Sequence, residues 1–79
     1  MHHMARNQQL KQLKDSLESL NFLIDQIEHL EEDLAIKLEV NKSVPGRYSK
    51  DELNVNIRYI DGYFENINKV INQISQINR

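Results

Sequence analysis

From Leu10 to Ile77, apolar residues return every three or four positions, with one interruption near the middle of the chain. Leu10, Leu13, Leu17, Leu20, Ile24, Ile27, Leu34 and Leu38 alternate spacings of three and four, and only Glu31 breaks the series. This is a stripe along one side of an α-helix, held over about four heptads. Leu23 and Leu30 lie beside the stripe and widen it towards the kind of face that packs in a bundle. Leu53, Ile57, Ile60, Phe64, Ile67, Ile71 and Ile74 repeat the pattern, flanked by Tyr63, Val70 and Ile77. The second series keeps its phase across Asp61-Gly62. That dipeptide commonly marks a turn, and glycine inside a helix costs roughly 1 kcal/mol relative to alanine. A turn there would break the register, so the helix is expected to continue.

The interruption reads NKSVPGRYSKDEL, residues 41–53. Val44-Pro45-Gly46-Arg47 fits a type II turn, with proline presetting φ at the second position and glycine taking positive φ at the third. Ser49 and Glu52 form a capping box, and Tyr48 and Leu53 occupy the two positions of a hydrophobic staple around it. The pattern predicts an all-α fold, an antiparallel helical hairpin. Its long helix spans about 5–40, the turn 41–49 and the second helix about 50–78.

Counting back from the turn places Leu34 near Ile57, Ile27 near Phe64, Ile24 near Ile67 and Leu17 near Ile74. The first helix then overhangs at its amino end. In this pairing the flanking rows Leu23, Leu30, Tyr63, Val70 and Ile77 stay partly wet. They are the expected self-association surface, and a second hairpin related by a two-fold axis would cover them in a four-helix bundle.

With 79 residues and no cysteine, the chain is one small domain without disulfides or thiolate metal sites. Domains of this size often need a partner to be secure. Residues 1–4, Met-His-His-Met, read as a tag or cloning remnant that gives His2 and His3 no weight, and residues 5–79 as a single helical-hairpin domain. A net charge of −2 argues against a general nucleic-acid binder. No apolar run approaches a membrane span and no signal peptide is visible, so a cytoplasmic location is expected.

Catalysis needs reactive groups held in a concave, partly dry pocket, and no paired-carboxylate, triad or phosphate-loop signature is present. A non-enzymatic protein is expected, with no cofactor, metal or small-molecule substrate. Asp25, His29 and Asp33 recur at helical spacing beside Glu32, a metal-ligand pattern in principle, but they fall opposite the seam. Gln26 also stands where a Glu-x-x-His motif would need its glutamate, so a solvated polar face is the expected reading. Glu31 could be a buried carboxylate that fixes register. The plainer expectation is that Leu30 takes over the packing and Glu31 swings outward, towards Tyr63 or Arg58. Seven acidic residues and no lysine or arginine lie between Asp15 and Asp33, a run that could steer a basic partner but more simply makes a solvated face.

Phe22, His29 and Ile36 lie one heptad apart on the outer side of the first helix, and Val55, Tyr59 and Gly62 form a shorter outer stripe on the second. Aromatic and aliphatic groups exposed in register often mark contact surfaces, and a glycine lets a neighbouring backbone come close. These six residues are the expected site for a protein partner.

The layout resembles, in part, two families of helical hairpins. The seams over residues 10–77 resemble the architecture of the Rop plasmid copy-number regulators, in which two hairpins form a bundle that holds paired RNA loops on a basic face. The acidic first helix supplies no such face. The hairpin also resembles the aspartyl-phosphate phosphatases of sporulation response regulators, whose second helix carries Ser-Gln-Glu-Leu-Asp. The corresponding Ile57-Arg58-Tyr59-Ile60-Asp61 keeps only the apolar-Asp ending, so phosphatase activity is not carried over. The function expected is a small protein–protein interaction or assembly module, possible as a regulator or inhibitor of a larger protein and working as a homodimer. A Rop-like RNA-binding dimer is the alternative, and a phosphatase-like modulator of response regulators ranks third.

Overall fold

The computed structural model describes residues 5–77. The opening four residues, with His2 and His3, and the expected helix end near residue 78 lie outside the described residues. Two helices account for nearly all of the described chain: α1, Arg6–Ser43, and α2, Lys50–Ile77. They pack side by side and antiparallel, in a slab whose Cα extents are 61 × 17 × 10 Å. The shortest dimension is that of a single helix layer.

α1 runs three residues beyond its expected end. Its last turn closes where the Val44 N–H donates to the Val40 carbonyl at 2.8 Å. The chain then reverses through Val44-Pro45-Gly46-Arg47, with the Arg47 N–H donating to the Val44 carbonyl at 3.0 Å and Gly46 at φ 77°. Proline fixes a negative φ at the second position, so positive φ at the third makes this a type II turn, as the sequence predicts.

The capping box is also formed. The Glu52 N–H donates to Ser49 Oγ at 3.1 Å, and the Ser49 N–H donates to Glu52 Oε1 at 3.4 Å. Asp51 and Glu52 add negative charge to the first turn, where the helix dipole favours it. Asn41, near the end of α1, brackets Tyr48 on the segment that leaves the turn. Its amide donates to the Tyr48 carbonyl at 3.0 Å and its oxygen accepts from the Tyr48 N–H at 2.8 Å. α2 continues without a break through Gly62.

The rows that pack between the helices differ from those expected. Leu23 and Ile77, each 8% exposed, are buried with Ile27 inside the hairpin, and Leu30, Tyr63 and Val70 are half-buried beside them. These rows are the ones expected to stay partly wet and to meet a second copy. They lie instead in the intramolecular interface, with Leu13, Leu20, Leu34, Leu53, Ile60, Ile67 and Ile74. Exposure falls on the other side of the stripe, at Leu10, Leu17, Ile24, Leu38, Ile57, Phe64 and Ile71. Each helix is thus rotated by one heptad position, roughly 50°, from the expected pairing.

Polar contacts explain the choice. The rotated pairing brings Asn56 inside, only 4% exposed, where its amide donates to the Leu30 carbonyl at 3.1 Å and to Asp33 Oδ2 at 2.9 Å. Its oxygen accepts from Lys37 Nζ at 3.0 Å, and Lys37 also pairs with Asp33 at 2.7 Å. At the open end, Gln9 Nε2 donates to the Ile77 carbonyl at 3.1 Å. That contact shortens the expected overhang of the first helix.

Candidate interaction site

The two sides of the hairpin differ in chemistry. Depressions between the helices are lined by Gln12 and Ser16 with Gln73 and Ile77, and by Ser19 and Leu23 with Asn66 and Val70. The rows Gln12, Ser19 and Gln26 of α1 therefore share one face with Asn66 and Gln73 of α2. The apolar rows lie across the interface from these. Reversing a helix reverses the sense in which its residues turn when viewed from one end, so equivalent heptad rows of an antiparallel pair emerge on the same side. Leu10, Leu17, Ile24 and Leu38 of α1 consequently share the second face with Ile57, Phe64 and Ile71 of α2.

This apolar face is exposed along its whole length, with Ile24 at 47% and Phe64 at 49%. Single exposed apolar residues are ordinary on a protein surface, whereas a contiguous double row is the kind of patch that often marks a contact site. The Gln9–Ile77 and Leu30–Asn56 contacts set the register. They bring Ile24 beside Phe64, and Leu17 beside Ile71, each pair about half a turn out of level. Glu31 falls in the gap in the α1 row and is exposed because that whole row lies outside the interface, not because it swings out of a seam, while Leu30 packs inward.

The expected partner residues are all exposed: Phe22, His29, Ile36, Val55, Tyr59 and Gly62. They are not gathered into one cavity. Phe22 lines a groove with Asn66 and Lys69, whereas Tyr59 borders a separate depression with Arg58, Gly62 and Tyr63. A Cβ built on Gly62 meets no atom within 4 Å, so nothing inside the hairpin requires glycine at this position. Among the described residues, no group of three His, Cys, Asp or Glu side chains converges on a point where a metal could sit.

A charged network lies towards the turn end of the hairpin. Lys37 joins Asp33 and Asn56 and also lies 5.7 Å from the centre of the Tyr48 ring, on whose face Arg47 stacks at 4.8 Å. The Lys37 hydrogen bond, then that of Asn56, hold the Asp33 carboxyl below its ordinary pKa. This network ties α1, the turn and α2 together.

The sequence reading missed Asn56 altogether. A signal was present: Leu53, Asn56, Ile60, Tyr63, Ile67, Val70, Ile74 and Ile77 also alternate by three and four. A polar residue inside such a row marks a register device in helical assemblies. No helix among the described residues is long and apolar enough to cross a membrane. Comparison with protein-family models, with curated proteins and with solved structures finds no match for this chain.

Proposed function

We propose that this protein is a non-enzymatic protein–protein interaction and assembly module that works by burying its apolar face against other helices. The observation that carries this reading is the one-sided exposure of Ile24, Phe64 and their rows on a hairpin one layer thick. Domains ordinarily close a core between two packed layers, and here the second layer has to come from outside the hairpin. The finer form of the proposal is a homodimer in which two hairpins make a four-helix bundle. In it, Phe22, Ile36, Val55 and Tyr59 remain on the outside, open to a larger protein that the dimer would regulate or help assemble.

Sedimentation of the full chain at tens of micromolar tests the reading. A dimer is expected, and Phe64→Lys should convert it to a monomer that keeps its helical circular dichroism. A stable monomer of the unmodified chain would overturn the assembly reading. A high 260/280 nm absorbance ratio after purification, indicating bound nucleic acid, would favour the RNA-binding alternative instead.

A further inference from the structure

We infer that the apolar face is covered by a second copy of this chain, stacked about a two-fold axis that passes through the Ile24–Phe64 layer perpendicular to the helices. The inference rests on the assembly reading and adds the geometry that the reading leaves open.

Area is the first argument. The chain exposes 6477 Å², roughly 1,500 Å² more than the ~5,000 Å² expected of a folded monomer of its mass. A stable dimer needs about 800 Å² from each partner. The excess is large enough to supply it.

The second argument is symmetry within the sequence. Ile24 is the midpoint of the row that runs from Leu10 to Leu38, and Phe64 is the midpoint of the row from Ile57 to Ile71. The hairpin register sets these two midpoints side by side, within about half a turn of each other along the helices. An axis through that layer lays α1 antiparallel on α1 of the other copy, and α2 on α2. Leu10 then meets Leu38, Ile57 meets Ile71, and Ile24 and Phe64 each meet themselves.

The other face-to-face arrangement has its axis along the bundle and lays α1 on α2. It would set Leu38 against Lys50 and Glu31 against Ile57, two apolar–charged mismatches. In the perpendicular arrangement a single mismatch remains, between Glu31 and Leu17, and charge complementarity relieves it. Lys14 lies one turn from Leu17 at the edge of the same face, within reach of the incoming Glu31 carboxylate. Within one chain Lys14 and Glu31 are about 25 Å apart along α1, too far to interact.

The absence of native cysteine makes the test clean. Ile24→Cys and Phe64→Cys variants of the full chain, each first checked for dimerisation by sedimentation, are treated with a short bis-maleimide linker. The expected result is covalent dimer from Ile24→Cys alone and from Phe64→Cys alone. If each variant fails alone and their mixture links, the axis lies along the bundle and this inference is overturned while the dimer stands. If neither the single variants nor the mixture link, although both remain dimers, the dimer uses another face and the inference is again overturned. A monomer in sedimentation overturns the underlying reading itself. Charge exchange gives an independent check. Lys14→Glu and Glu31→Lys should each weaken dimerisation about threefold, and the double exchange should restore it. Additive losses in the double variant would contradict the pairing.

Discussion

The Lys37 ammonium donates a 3.0 Å hydrogen bond to the side-chain oxygen of Asn56, nineteen residues away and across the helix interface. Lys37 is also held by Asp33, which in turn accepts from the Asn56 amide. Each member satisfies the others, so the only buried polar side chain among the described residues is fully partnered. The triangle can form in one rotation of the two helices. It is thus a selector of pairing as well as a source of stability.

Asn56→Ala should lower stability by about 1 to 3 kcal/mol, because it removes hydrogen bonds to charged groups and leaves a small cavity. Asn56→Leu should recover much of that loss, since Lys37 and Asp33 can still pair at the surface. The Leu variant should nonetheless lose uniqueness, visible as broadened amide resonances in a ¹⁵N correlation spectrum. Urea unfolding of the two variants checks the first expectation. A sharp spectrum for Asn56→Leu would show that Asn56 does not select the pairing.

This network also explains how far the sequence could be read. The turn, the capping box and the continuous helix through Gly62 were legible because each depends on neighbours in the chain, and local chemistry decides them. The rotation of the helices was not. Leu13, Leu20, Ile27 and Leu34 belong equally to two alternating series, one completed by Leu10, Leu17 and Ile24, the other by Ser16, Leu23 and Leu30. The first is the more apolar and reads as the seam. The second is the one that packs within the chain, because polar Asn56 and Lys37 find each other there. An apolar stripe three rows wide has more surface than one neighbour can cover, so periodicity alone could not say which edge the hairpin would keep.

That distinction yields a paired prediction. Leu23→Lys or Val70→Lys puts a charge into the hairpin interface and should unfold the chain, with loss of helical circular dichroism. Leu17→Lys or Phe64→Lys puts it on the exposed apolar face and should leave the isolated hairpin helical while changing its sedimentation. Equal damage from both pairs would mean that the hairpin does not fold apart from its assembly.

Asp33 gives the acid limb of the stability curve a specific origin. Its carboxyl is held below the ordinary range by the Lys37 and Asn56 hydrogen bonds. A carboxyl with a lower pKa folded than unfolded contributes stability above the unfolded value, near 4, and that contribution fades as pH falls through the folded value. Urea midpoints should therefore drop more for the unmodified chain than for Asp33→Asn between about pH 6 and pH 3. Parallel curves would show that the carboxylate does not make these bonds in solution.

At the turn, two substitutions should act independently. Ser49→Ala removes the oxygen that caps α2 and should cost about 1 kcal/mol. Gly46→Ala meets no neighbouring atom, but it forces a side chain onto a residue at φ 77°, which should cost roughly 1 to 2 kcal/mol. Thermal unfolding checks both, and a neutral Ser49→Ala would place the start of α2 elsewhere.

Gly62 and Tyr59 decide whether the outer stripe is a working surface. Tyr59 is 62% exposed, and the space where a Gly62 side chain would sit is empty, so the hairpin itself asks for neither residue. Gly62→Ala should raise stability by about 1 kcal/mol through helix propensity alone. Gly62→Leu should also keep the fold, while filling the depression that Tyr59 and Tyr63 border. If a partner protein docks there, Gly62→Leu would block its approach and Tyr59→Ala would remove an aromatic anchor. Binding to a partner captured from cells should then fall in both variants, with thermal stability undiminished. Reduced stability in both would mean that the stripe is buried in a higher oligomer. Unchanged binding in both would leave Gly62 as a surface glycine that the chain tolerates, and the docking site would have to be sought on another part of the bundle.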